Sequence, residues 1–199
     1  MKKLILFIAV IAITGLTQTF SQDINFGAKA GVNFCDITGD DTDSFDGRTT
    51  FHIGLVAEIM ITDVFAFQPE ILYSAQGSDW EEAFEGETYQ GTVKVDYLNI
   101  PLMAKYYVVE GFSVEAGPQI GFLLSANNEE EGFDDEDIKD DLKGIDFGIN
   151  FGLGYKLDGG LNFGARYIIG LTDVNDNPEN LGNSDYKNSV IQISVGYFF

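Results

Sequence analysis

A single histidine, His52, and a scatter of serines are the residues with which this chain could do nucleophilic chemistry. A hydrolase needs a hydroxyl within hydrogen-bond reach of a base, a third group to orient that base, and donors for the oxyanion. If the segments flanking Thr62-Asp63-Val64 pair so that apolar residues meet apolar ones, paired positions sum to 126 and His52 falls opposite Ser74. Ser125 falls inward at the same end of its own segment. One His beside one Ser is common by chance, and neither a third partner nor an oxyanion donor accompanies them. His52 and Ser74 are weak catalytic candidates, and no enzymatic activity is expected.

The charged residues within the alternating segments form a stronger pattern. Lys29, Lys105, Lys156 and Arg166 share a face with Glu58, Glu70, Glu115 and Asp146, four cations against four anions. Buried charge is tolerated where it is paired and hydrogen-bonded, so the set reads as an interior polar network. Across Val109-Glu110-Gly111 the same pairing rule gives positions summing to 220 and sets Lys105 opposite Glu115. A direct ion pair is expected there. The acidic runs Glu129-Glu130-Glu131 and Asp134-Asp135-Glu136-Asp137 lack the spacing and central Gly of an EF-hand. No metal and no cofactor is expected, and such runs are usually solvated and mobile. Cys35, the only thiol, cannot form an intramolecular disulfide and reads as a small residue at a strand end. The lone Trp80 could anchor a protein partner, although a single exposed aromatic is more often incidental.

Strands must position these residues. Period-2 alternation runs through 26–35, 50–61, 65–76, 95–108, 112–126, 145–157, 161–172 and 189–199, each about the length a tilted strand needs to cross a bilayer. Long polar connections, 36–49, 77–94, 127–144 and 173–188, alternate with three-residue ones: Thr62-Asp63-Val64, Val109-Glu110-Gly111 and Asp158-Gly159-Gly160. The last two end in Gly, as a type I turn with a G1 bulge requires. Long loops at one end and tight turns at the other mark an eight-stranded antiparallel up-and-down transmembrane β-barrel, with termini periplasmic and long loops extracellular.

Which face meets lipid follows from residue type. One face is apolar, as in Phe51, Ile53, Leu55 and Ile59, or Phe147, Ile149, Phe151 and Leu153. The other is polar and crowded with glycine, including Gly31, Gly54, Gly117, Gly121, Gly152 and Gly196. Glycine has little use on a watery outer surface; inside a narrow barrel it makes room for long side chains. An eight-stranded barrel has space only for such filling or for one small ligand, so transport through it is not expected. Aromatics gather at both ends of the apolar face, Phe26, Phe65, Tyr106, Tyr155 and Phe163 at one and Phe34, Phe51, Tyr73, Phe122 and Tyr167 at the other, the girdles of membrane barrels. Pro69, Pro101 and Pro118 fall inside expected strands, where each removes a ladder donor and invites a bulge.

Lys2, Lys3 and the apolar run Leu4 to Ile13 read as a signal peptide cleaved after residue 21, which leaves a barrel domain over 22–199. Its loss takes the formal charge from −21 to −23. Over 36–49, 77–92, 127–143 and 173–188 the net charges are −4, −5, −7 and −3. So acidic a chain has no cationic surface to displace the counterions of nucleic acid, and nucleic-acid binding is excluded.

Several stretches resemble the PorT-like outer membrane β-barrel proteins of Bacteroidetes: Gly27-Ala28-Lys29-Ala30-Gly31-Val32-Asn33, Phe67-Gln68-Pro69-Glu70-Ile71-Leu72-Tyr73, Tyr97-Leu98-Asn99-Ile100-Pro101-Leu102-Met103-Ala104-Lys105-Tyr106 and Ala116-Gly117-Pro118-Gln119-Ile120-Gly121. The terminal Tyr197-Phe198-Phe199 resembles the ending read by the outer-membrane barrel-assembly machinery, with Tyr197 and Phe199 as the assembly signal. The resemblance implies an outer-membrane location and family prolines in the strands, and transfers no catalytic residue. The functional expectation is a non-enzymatic barrel, structural or partner-binding through its acidic loops, with outer-membrane lipids around it. The alternatives are an accessory component of a secretion or uptake complex and, less favoured, a lipid-modifying hydrolase.

Overall fold

A computed structural model describes residues 24–39, 42, 44–84, 87–130, 132–177 and 185–199. The expected signal peptide, 1–21, lies outside them. The strands are β1 (Ile24–Gly39), β2 (Phe45–Thr62), β3 (Phe65–Phe84), β4 (Glu87–Val109), β5 (Phe112–Glu130), β6 (Glu136–Asp137), β7 (Ile145–Lys156), β8 (Leu161–Gly170) and β9 (Tyr186–Phe198), with one 3-10 turn at Lys139–Asp141. Eight of them form a closed antiparallel ring in which chain neighbours pair and β9 closes on β1. The two-residue β6 hangs on β5 outside the ring.

Register fixes the width of the barrel. From Ile24 the paired positions run through Ile59, Phe67, Ala104, Ala116, Phe151, Tyr167 and Ile191 and return to β1 at Phe34, ten residues further along. That stagger corresponds to a strand tilt of about 43° and a radius of about 8 Å. A bore so narrow holds side chains and little else. Alternate residues therefore divide as expected. Phe51, Leu55, Phe147, Phe151, Ile191 and Ile193 point outward and are exposed, whereas Lys29, His52, Glu58, Glu70, Asn99, Gln119, Asn150 and Gln192 point inward and are buried.

The tight turns follow their sequences. Gly111 and Gly160 sit at φ 75° and 86°, the left-handed conformation that makes glycine the residue of choice there. In the third turn the Thr62 hydroxyl accepts the Phe65 N–H at 3.1 Å. Inward glycines sit where long side chains cross. A Cβ on Gly31 would stand 2.7 Å from His52 Cε1, and one on Gly152 would stand 2.9 Å from Glu115 Oε1.

Three expectations need correction. The prolines do not make bulges: the β3–β4, β4–β5 and β5–β7 registers run on unchanged on both sides of Pro69, Pro101 and Pro118. The register shifts lie elsewhere, one of them between Asp96 and Tyr97 on β4. There Leu124 on β5 is the extra residue; it reverses the alternation beyond it, so that Ala126 turns inward beside Leu123. Ser125, expected inward, is half-buried and donates to Asp96 Oδ2 at 2.9 Å. Finally, the segment 77–94 is not a loop. β3 and β4 continue through it with Phe84 opposite Glu87, sustained by strand formers such as Thr88, Tyr89, Thr92 and Val93. The ring thus carries a wall, β2 to β5, well beyond the ends of β7 and β8.

Candidate functional site

The bore is filled by two linked charge clusters. Nearest the tight turns, Glu58 accepts from Lys105 at 3.1 Å and also from Lys156 and the Tyr107 hydroxyl. One layer deeper, Glu70 accepts from Lys29 at 3.0 Å and from both terminal nitrogens of Arg166, at 3.0 and 2.9 Å. Arg166 also donates to Glu115 from Nε at 3.1 Å and from Nη2 at 2.8 Å. Gln68 joins the clusters: its carbonyl accepts from Lys105 at 3.0 Å and its amide donates to Glu70 at 2.7 Å. Forked Arg–carboxylate contacts of this kind are among the strongest and most directional a protein makes. The carboxyl groups of Glu58 and Glu70 are fully buried.

The expected Lys105–Glu115 ion pair does not form. The two face each other in register, as the pairing rule gives, but Lys105 turns to Glu58 and Gln68, and Glu115 to Arg166. In so narrow a bore a long side chain reaches across as easily as sideways, so the backbone neighbour competes with every carboxylate at that height. Asp146 faces the interior, as expected, but away from these clusters. It lies toward the long-loop end, where Asn188 Nδ2 donates to it at 2.9 Å, and among the described residues it has no ion-pair partner. The turn-end network is therefore four cations on three carboxylates.

Above the charges lies an amide layer that contains the catalytic candidates. His52 and Ser74 are opposite in register, as expected, but Asn33 stands between them. Its Oδ1 lies 2.7 Å from His52 Nδ1, and its Nδ2 donates to Ser74 Oγ at 3.1 Å. Gln192 and Gln76 complete the layer, donating to Asn33 Oδ1 and to Ser74 Oγ. A base relayed through an amide cannot take the serine proton. Both candidates are also fully buried, so no substrate reaches them. Cys35, as expected of a structural thiol, is buried with Ile168 and Val190.

The long-loop mouth is lidded. Val95, Tyr97, Leu123 and Ala126 form an apolar layer inside the barrel, and Ile138 and Leu142 from the acidic third connection pack onto it. The Ile138 N–H donates to Ala126 O at 3.1 Å, Lys143 N–H to Val174 O at 2.9 Å, and Asp176 N–H to Asp141 O at 2.9 Å. Lys143 also pairs with Asp173 at 3.0 Å. Partial burial works against the Asp173 charge but is outweighed by the Tyr186 N–H, the Lys143 ammonium and the Asn175 N–H, which hold its carboxyl below the ordinary value. The expectation of a mobile third loop thus holds for neither Ile138 nor Leu142, although Asp134 to Asp137 are exposed. Isolated apolar residues in an acidic run were the signal for this lid.

On the extended wall, Trp80 is half-buried and donates from Nε1 to Asn128 Oδ1 at 2.9 Å. It lines a concavity with Asp46, Asp79, Glu81, Glu129, Glu130 and Asp135. Among the described residues no cluster has metal-ligand geometry, and no helix is long and apolar enough to cross a membrane.

An exposed apolar belt around a closed eight-stranded ring with a polar, filled interior is the arrangement of an outer-membrane barrel. The family model described as the outer membrane protein beta-barrel domain matches residues 18–176. The chain belongs to that family. Its fold is similar to that of Neisserial surface protein A (NspA), with a TM-score of 0.57 at 13% identity over 87% of this chain and 97% of that one. It is also similar to Ail of Yersinia pestis, solved in complex with the heparin analogue sucrose octasulfate, with a TM-score of 0.51 at 12% identity over 89% and 99%. At such identities the likeness is one of fold. The sequence matches none of the curated proteins. Membership in the barrel domain family places this protein in the outer membrane.

Proposed function

We propose that this barrel is a non-catalytic, closed membrane scaffold that presents an acidic, aromatic-lined wall to a basic protein partner. The observation that carries the reading is the filled bore. Among the described residues, a network of buried charges, an amide layer and a docked lid fill the bore and bury the His52–Ser74 pair beyond reach of substrate. What remains for function is the surface at the long-loop end. On this reading the tight turns and both termini are periplasmic, the long connections are extracellular, outer-membrane lipids cover the apolar belt, and Tyr197 and Phe199 serve the barrel-assembly machinery. Both aromatics point outward and are exposed, their rings 6.0 Å apart. We also place the chain in the PorT-like group, on the strength of its strand motifs.

Charge selects the kind of partner. Ail was captured with a polyanion; here the segments 36–49, 77–92, 127–143 and 173–188 carry −4, −5, −7 and −3, a field that repels polyanions and attracts basic segments. The concavity around Trp80 pairs carboxylates with an indole that can pack against Lys or Arg side chains. A photo-crosslinking residue at position 80 in intact cells should trap a protein, and Glu129→Lys with Glu130→Lys should weaken that capture. Capture undiminished by charge reversal, or none at all, would overturn the reading. Lipid A and fatty-acid profiles should be unchanged in a His52→Ala strain; an altered profile would instead establish an enzyme.

A further inference from the structure

The network at the turn end encloses a polar cavity of about 30 Å³, lined by Lys29, Lys105, Lys156 and Arg166 and by the Ser113 hydroxyl and the Asn162 amide. Four cations meet here, against Glu58, Glu70 and Glu115. The fourth carboxylate that would balance them, Asp146, lies at the other end of β7, bound by Asn188. Ser113 is 1% exposed, and among the described residues neither its Oγ nor the buried Asn162 Nδ2 has a hydrogen-bond partner. Lys29 spends one ammonium proton on Glu70, and Lys156 one on Glu58, so donors remain on both. Glu115 also borders the cavity, its Oε1 held by Arg166.

We propose that this cavity binds one monatomic anion, chloride under ordinary conditions, held by the lysine ammonium groups, the Ser113 hydroxyl and the Asn162 amide. A charge left uncompensated in a low-dielectric interior is costly, and a halide supplies the missing negative charge where the donors converge. The volume admits one or two water-sized species, on the order of 15 Å³ each, which suits a single ion. Entry is from the tight-turn mouth past Lys156, whose side chain is 26% exposed. The anion is a structural component of the plug, independent of any partner at the opposite mouth.

Crystals of the full barrel grown with bromide in place of chloride provide the direct test. An anomalous peak within hydrogen-bond distance of Ser113 Oγ and a lysine Nζ is expected; a cavity holding only water overturns the proposal. Urea unfolding of the micelle-refolded barrel gives a second readout. The midpoint should be higher in sodium chloride than in sodium gluconate at equal ionic strength, and Ser113→Ala should remove most of that difference. Should that variant fail to fold, Asn162→Asp supplies the negative charge from the protein itself. It should be as stable in gluconate as the unaltered barrel is in chloride, with no further gain from halide. Equal midpoints of the unaltered barrel in the two salts, or a halide gain undiminished in either variant, would also overturn the site.

Discussion

Glu70 is where the interior converges: Lys29, Arg166 and Gln68 all donate to one fully buried carboxylate. Removing it strands Lys29 and leaves Arg166 with Glu115 alone, so Glu70→Ala should cost about 3–5 kcal/mol in urea unfolding of the refolded barrel. The rearranged partners of Lys105 make a sharper test. In double-mutant cycles Lys105 should couple more strongly to Glu58 than to Glu115, although Glu115 is its neighbour across the strands. Stronger coupling to Glu115 would mean that side chains follow the backbone register after all. The inward direction of all eight charged residues was legible in the sequence, because two-residue alternation with one apolar face leaves no freedom of parity. Their partners were not, since Arg166 and Lys105 reach across the bore to strands that periodicity cannot order by distance. Gln68, Tyr107, Asn33 and Gln192 were missed for the same reason: parity turns them inward, but nothing local says that they bridge.

At the scale of elements, each strand trades bulk on one face for room on the other. Gly31 lies against the Ile193 carbonyl of the neighbouring strand and leaves space for His52, so Gly31→Val should cost at least the 1–3 kcal/mol typical of overpacking. The folded fraction in semi-native electrophoresis reads this out, and a fully folded Gly31→Val barrel would refute the close packing. The tight turns were legible down to their glycines, because Gly111 and Gly160 mark a left-handed residue by type. The bulge at Leu124 and the strand hairpin over 77–94 were not; an extra residue breaks alternation without a marker, and acidic side chains disguised good strand formers. The lid makes a pH prediction. The folded-state pKa of Asp173 is depressed below its ordinary value of 3.8. Its contribution to closure is therefore complete above the unfolded value and is lost as pH falls through the folded one. Amide protection relative to the unfolded exchange rate at Tyr186 and Asn175, whose N–H groups donate to Asp173, should be high at neutral pH and fall only below about 3.8. Protection already lost at pH 6 would show that Asp173 does not hold the lid.

The whole molecule is a membrane protein built inside out, with its charges in the core and its leucines and phenylalanines exposed. Alternating long and short connections revealed that plan in advance, and the stagger of ten residues around the ring gives it a radius too small for a channel. A charge network at one end, an amide layer in the middle and a docked apolar lid at the other close the bore three times over. The proposed function accordingly lies on the surfaces, with nearly all the excess acid gathered at one of them. Conductance of the purified barrel in a planar lipid bilayer tests this most directly. The account predicts no stable open-channel steps at neutral pH, with or without deletion of 132–143. Sustained, resolvable conductance in the unaltered protein would contradict it.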